Sequence, residues 1–317
     1  MIETMLIVGG TGFIGSHLVD RLLSQGHQVL GLDNFNTFYN PAIKAANLEG
    51  ALAHDNFELV RGDILDVELL RSTFARFQPD RLVHLAAWAG VRPSIDNPEI
   101  YEQVNLQGTL NLLQRCREDG VDHVVFASSS SVYGDRETIP FRETDDVSHP
   151  ISPYAATKAA GELLAYTWHH LFGLHIHCLR FFTVYGPRQR PEMAIAKFTA
   201  AIAKDEQITV FGDGSSARDY TYIDDIVSGV VASLERVSGY DIINLGNSTP
   251  TPLSELVATI GRGLGKTPLI KHEPMQPGDV SLTYADISRA QDALDYDPKT
   301  PISEGIDRYI EWFRRRQ

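Results

Sequence analysis

Met5-Leu6-Ile7-Val8-Gly9-Gly10-Thr11-Gly12-Phe13-Ile14-Gly15 carries an apolar run straight into a glycine-rich turn, and a helical pattern over 12–25 follows at once. A short apolar run ending in glycines predicts a buried strand, and apolar recurrence at three and four predicts a helix with one face on a core. A tight turn between them needs residues free of Cβ, and a pyrophosphate needs close backbone approach. The helix N-terminus adds N–H donors and partial positive charge. Gly9, Gly12 and Gly15 fill the turn, with Phe13 and Ile14 inside it.

The same alternation continues outward. Apolar runs at 28–32, 57–60, 81–85, 123–127 and 175–179 are separated by helical patterns that include 67–77 and 100–118. Strands alternating with helices predict an α/β fold, a Rossmann-type doubly wound parallel sheet. Beyond 179 the regularity weakens, glycine and proline gather at 186–191, 211–216 and 275–278, and helices are predicted at 193–204, 225–236, 254–264 and 303–315. We therefore expect a dinucleotide-binding domain over 1–179 and a smaller C-terminal α/β substrate-binding domain over 180–317, some of whose segments return to the first.

The second run ends at Asp33, where a carboxylate can hold the ribose hydroxyls of a dinucleotide and would repel a 2′-phosphate, so the expected cofactor is NAD in preference to NADP. Small residues at Leu85-Ala86-Ala87 would let that cofactor lie close to the chain. Tyr154 and Lys158 are four apart and share a helix face. A phenol with an ordinary pKa of about 10 is a poor base at neutral pH, but an adjacent ammonium and a cationic nicotinamide would stabilise the phenolate. The hydroxyl-rich Ser128-Ser129-Ser130-Ser131 ends the fifth run, at the sheet edge where doubly wound folds bind ligands.

With these motifs, Leu32-Asp33-Asn34-Phe35-Asn36, Arg180 to Pro187 and Arg218 to Asp225, nearly the whole chain resembles the extended short-chain dehydrogenases. Within them it is most similar to the UDP-sugar 4-epimerases, especially those acting on UDP-glucuronate. The resemblance implies tightly bound NAD that is regenerated in each cycle. The tyrosine takes the proton of the sugar 4-hydroxyl as the C4 hydride leaves, and hydride returns to the other face of a 4-keto sugar. By position Tyr154 is the base, Lys158 tunes it and holds the nicotinamide ribose, and Ser129 and Ser131 are hydroxyl partners. The cofactor side adds Asn34, Asn36, Asp63 and Ile64 near the adenosine, Asn105 as an ordering residue, and Ser128 and Phe181.

For the substrate the resemblance implies Arg218 on the pyrophosphate, Asp279 on the uridine ribose, and Gln276 where UDP-glucose epimerases often carry arginine. Arg92, Ser94, Thr183, Arg190, Lys197, Phe198, Val210 and Phe211 complete the expected site. Thr183 replaces the asparagine common in UDP-glucose epimerases, and a C6 carboxylate needs cationic or hydroxyl partners. Arg190 is the first choice among the cations Arg92, Arg188 and Arg190. Related 4,6-dehydratases and UDP-glucuronate decarboxylases carry a glutamate where Ser131 stands, and redox-sensing relatives commonly lack the tyrosine and lysine, so simple epimerisation is the expected reaction. UDP-glucose is the alternative substrate.

Composition narrows the rest. The chain has 317 residues, 43% hydrophobic and 22% charged, enough to bury a sizeable core. A net charge of −13 argues against nucleic acid and anionic membranes as partners. Cys116 and Cys178 lack zinc or disulfide-framework spacing, and His169, His170, His175 and His177 straddle a helix end and a strand with no completing ligand, so no metal is expected. The opening segment is too short in apolar residues for a signal peptide or membrane span, which points to the cytoplasm. The resemblance also implies a homodimer built from helices around 100–118 and 154–171.

Overall fold

The computed structural model describes residues 2–275 and 280–316. Six apolar runs form β1 Thr4–Val8, β2 Gln28–Asp33, β3 Phe57–Arg61, β4 Arg81–His84, β5 His123–Ser129 and β6 His175–Phe181. Six later strands follow among the described residues: β7 Thr183–Tyr185, β8 Ile208–Phe211, β9 Ala217–Tyr222, β10 Tyr240–Leu245, β11 Pro250–Pro252 and β12 Ile270–Glu273. The central sheet has seven strands in the order β10-β6-β5-β4-β1-β2-β3. Every pairing in it is parallel, with Val8 in register with both Leu32 and His84. The order reverses between β1 and β4, so a crevice opens at their carboxyl ends, as doubly wound topology requires.

Both faces of such a sheet must be covered, which is why its strands read as continuous apolar runs. Leu6, Val8, Leu30 and Leu32 face helices Val67–Phe77 and Gly108–Asp119 through Leu70, Phe74, Leu112 and Leu113. Met5, Ile7 and Val29 belong to the other core, with Leu18, Val19 and Leu22 of helix Phe13–Ser24 and Ile226, Val227 and Val230 of helix Ile223–Arg236. That second core runs on into the C-terminal part, through Ile195, Leu256, Ile260 and Ile306.

Two features differ from the sequence reading. The helix expected over 100–118 starts at Pro98 and contains a π-helical turn, Glu102–Gln107, before Gly108–Asp119. Periodicity cannot show such a turn, which adds one residue to the winding and is common near functional sites. Strand β10 is absent from the sequence reading, although the return of some segment from beyond residue 179 is part of it; β10 closes the edge of the central sheet beside β6.

A buried ion pair joins that edge to the crevice. Arg180 of β6 donates from Nε and Nη2 to the Glu162 carboxylate at 2.9 and 2.7 Å, and Ser128 of β5 donates to Glu162 Oε1 at 2.5 Å. The Arg180 guanidinium also lies over the Tyr133 ring, 4.7 Å from its centroid. Removing one partner of so enclosed a pair strands the other charge, so Glu162→Ala is expected to cost about 3–5 kcal/mol. Urea unfolding measures this, and a loss under about 1 kcal/mol would show that water reaches the pair.

Candidate active site

The crevice is a cleft of about 530 Å³ bounded by the first turn, the ends of β2, β4 and β5, and the loops after β6. At its floor Gly9 has φ +84°, and a Cβ there would lie 2.8 Å from the Ala86 nitrogen. A Cβ on Gly15 would meet the Gly9 carbonyl at 2.2 Å, so the helix lands on the strand only because this position is bare. Helix Phe13–Ser24 has Gly12 at its N-cap, no side chain capping its first turn and no acidic residue in it. Its leading N–H groups are thus free of side-chain competition, the arrangement that receives a pyrophosphate.

Asp33 is buried at the end of β2 and accepts from Phe35 N at 2.8 Å. Asn34 donates to Asp63 at 2.7 Å, and Asp63 in turn accepts from Leu65 N at 2.9 Å, which ties the ends of β2 and β3 together. Lys44 was not anticipated: its Nζ lies 3.6 Å from Asp33 Oδ1 and donates to Asn36 Oδ1 at 3.0 Å. It lines the cleft with Phe38 and Tyr39, which sequence reading also missed. The available signal was the cluster of aromatic and basic residues directly after Asn36.

The phenol and the amine are delivered by helix Pro153–Phe172, whose N-cap Ser152 accepts from Ala155 N at 3.1 Å and whose first position is proline. Ser94 is fully buried, donates to Val91 O at 2.6 Å and accepts from Tyr154 N at 3.1 Å, so it braces the helix start and does not line the cleft. Asn105 is likewise occupied: it accepts from Trp88 N and donates to Trp88 O and Thr157 Oγ1 at 2.9, 3.0 and 3.1 Å. It lies in the π-helical turn, and its side chain ties that turn to Trp88 and to Thr157 of helix Pro153–Phe172.

Lys158 donates to the Ala127 carbonyl at 2.7 Å, and burial lowers its pKa to about 8, partly opposed by Glu162. Burial raises the Tyr154 phenol above its ordinary value, against a hydrogen bond with Ser129 and the charge of Arg190. That is the balance among the protein's own groups; the phenolate expected from the sequence also calls on the charge of a bound nicotinamide. Ser131 Oγ donates to Ser129 Oγ at 2.9 Å, forming a short hydroxyl relay at the end of β5. Burial also holds His84 near a pKa of about 3, hence neutral, and it bonds Thr109 at 2.9 Å.

On the opposite wall stand Phe181, Thr183, Arg190 and Arg218, with Ile64, Leu85, Ala86, Ala87 and Ser128 on the cofactor side. Arg188, one of the three candidate cations, instead pairs with Asp20 at 2.8 Å. Arg92 lies over the Phe211 ring at 5.0 Å, Val210 is buried in β8, Lys197 is exposed and Phe198 is half-buried. These five, expected at the substrate, do not line the cleft formed by the described residues. Gln276 and Asp279 lie outside the described residues.

The sequence profile of the NAD dependent epimerase/dehydratase family matches residues 5–246. The chain belongs to that family. It is 42% identical over 308 residues to "UDP-glucuronate 4-epimerase" of Thermodesulfobacterium geofontis, covering 97% of this chain and 95% of the relative. Among solved structures, UDP-glucuronic acid 4-epimerase from Bacillus cereus in complex with UDP-glucuronic acid and NAD superposes with a TM-score of 0.93. Identity there is 34%, over 99% of this chain and 100% of that one. UDP-glucose 4-epimerase of Thermotoga maritima with UDP-glucose gives a TM-score of 0.90 at 32% identity, covering 99% of each chain.

This member of the epimerase/dehydratase family has the parts NAD requires: a Cβ-free turn, an uncapped helix N-terminus and a buried carboxylate at the end of β2. Among the described residues no cluster of three or more His, Cys, Asp or Glu side chains is placed to hold a metal ion, and no helix is long and apolar enough to cross a membrane. Because Gly15 touches Gly9 so closely, Gly15→Ala is expected to displace the turn. Nicotinamide retained after purification, read by absorbance of the released cofactor, should fall to a small fraction of the wild-type amount, and full retention would refute this account of the turn.

Proposed function

We propose that this chain inverts C4 of UDP-glucuronate to give UDP-galacturonate, through a transient 4-keto sugar. The observation that carries the substrate is that the Tyr154 phenol and the Arg190 guanidinium line one cleft. On a hexose the C4 hydroxyl and the C6 substituent are neighbours. A base and a guanidinium lining the same cleft therefore match a sugar that has a hydroxyl at C4 and a carboxylate at C6. The curated relative and the B. cereus structure named above point to the same substrate.

In this reading Tyr154 Oη holds and returns the proton of the 4-hydroxyl, and Ser129, bonded to Ser131, passes a hydrogen bond to the same oxygen. NAD, when bound, would supply the acceptor and donor for the C4 hydride, and the residues around the cleft hold the sugar for both transfers. The nicotinamide charge is also what would bring the phenol down from the raised value that burial imposes. Lys158 keeps an ammonium below a pH of about 8 and would anchor the nicotinamide ribose. Thr183 and Arg190 receive the carboxylate, and Arg218 and Asp279 the nucleotide. Ser131 supplies no acid or base for elimination, so the ketone is reduced again.

Burial of Cys116 and Cys178 as free thiols fits a reducing compartment such as the cytoplasm. A homodimer is proposed through helix Pro153–Phe172 and its neighbour Gly108–Asp119, because Leu163, Tyr166 and Leu171 are exposed on the former at 70%, 50% and 62%. Light scattering should report twice the chain mass, and a monomer at micromolar concentration would exclude it.

Coupled assays on purified protein should show efficient conversion of UDP-glucuronate. Conversion of UDP-glucose with none of UDP-glucuronate would overturn the substrate. Tyr154→Phe should lower kcat by on the order of 10³-fold while NAD stays bound, since it removes only the proton carrier. Full activity in that variant would reject Tyr154 as the base.

A further inference from the structure

Arg190 does not stand alone in the cleft wall. Its Nε lies 3.1 Å from Glu192 Oε1, and its guanidinium carbon lies 5.4 Å from the centroid of the Phe38 ring. Both Glu192 carboxylate oxygens are closed off from solvent, yet neither accepts a hydrogen bond among the described residues. A carboxylate taken out of water without hydrogen bonds is costly, and the paired guanidinium is the group that offsets it. Phe38 is itself held, packing edge-on against Trp88 at 5.3 Å.

We propose that Glu192 is a positioning residue for substrate selection: with Phe38 it clamps the Arg190 guanidinium so that its terminal nitrogens face the sugar carboxylate. The inference rests on the substrate reading above and assigns a residue that reading does not use. The geometry favours aiming over competition in two ways. The contact is at Nε, which leaves the Nη1–Nη2 edge able to receive a carboxylate end-on. The two Glu192 oxygens are also turned away from solvent although the side chain as a whole is 36% exposed, so meeting a second anion would require the carboxylate to turn.

An unclamped arginine has several torsions to freeze when it meets a ligand, and a fork fixed in advance loses less freedom. The benefit goes to a sugar with a carboxylate. A neutral C6 hydroxymethyl group cannot use the fork, so the clamp acts on discrimination between acidic and neutral sugars and leaves the nucleotide untouched.

The test is calorimetric titration of NAD-loaded protein with UDP-glucuronate, UDP-glucose and UDP, comparing wild type, Glu192→Gln, Glu192→Asp and Arg190→Met. Glu192→Gln should weaken UDP-glucuronate binding by roughly tenfold to a hundredfold, the scale of a misaimed contact. UDP-glucose and UDP should bind as before, and Glu192→Asp should recover part of the loss. In turnover the change should fall on KM more than kcat, as for a contact made equally in ground and transition states. Unchanged or tighter UDP-glucuronate binding in Glu192→Gln would overturn the proposal, as would equal weakening of all three ligands, which signals a collapsed loop. A wild type that binds UDP-glucuronate no better than UDP-glucose, with Arg190→Met without effect, would instead sink the substrate reading and take this inference with it.

Discussion

The whole site hangs on a contact between two stretches of backbone. Helix Phe13–Ser24 meets β1 so closely that a single methyl at Gly15 would overlap the Gly9 carbonyl, and Gly9 in turn lies against Ala86 at the end of β4. That approach brings the first turn, the end of β2 and the end of β4 around one crevice, since the strands of a parallel sheet all finish on the same side. The reacting groups then need only ride in on β5 and on the helix that follows it. Glu162 fixes how they arrive, because one carboxylate binds Ser128 of β5, Arg180 of β6 and its own helix together.

Burial sets the electrostatics of the pair those elements deliver. It lowers Lys158 and raises Tyr154, each away from its charged form. In the proposed mechanism a base enclosed in this way works only if charge is supplied where the proton leaves. Here the groups working against desolvation at the phenol are a serine hydroxyl and an arginine from the far wall. The chemistry is therefore conditional on what docks in the cleft, a useful property for a site that must not expose a strong base to water.

Much of this was legible in the sequence for a physical reason: each legible feature is local. Apolar runs, the Gly9–Gly15 turn, the carboxylate at Asp33 and the four-residue step from Tyr154 to Lys158 depend only on neighbours along the chain. Features that failed to show depend on distant partners. Strand β10 joins the central sheet because β6 leaves an edge, not because residues 240–245 differ from other strands. Ser94 looks like a polar cleft residue by position, yet folding spends its hydroxyl on Val91 and Tyr154. Lys44 reaches Asp33 only after the chain doubles back through the helix Pro41–Asn47. Arg92 and Arg188 could be separated from Arg190 only by seeing Phe211 and Asp20 beside them.

The loop that carries Arg190 comes from the second half of the chain, but it is fastened to the first. His17, one turn beyond Phe13, donates from Nε2 to the Pro187 carbonyl at 2.9 Å, and Asp20, on the same helix, pairs with Arg188. Burial lowers the His17 pKa, so the imidazole stays neutral and keeps its single N–H on that carbonyl. Phe38, from the loop after β2, closes the other side of Arg190. Arg190, the cation proposed to meet the sugar carboxylate, thus sits in a loop tied to the helix of the glycine turn. In the proposed reaction a hydride passes between two bound molecules, so tying the Arg190 loop to the helix of the glycine turn would help to hold their separation.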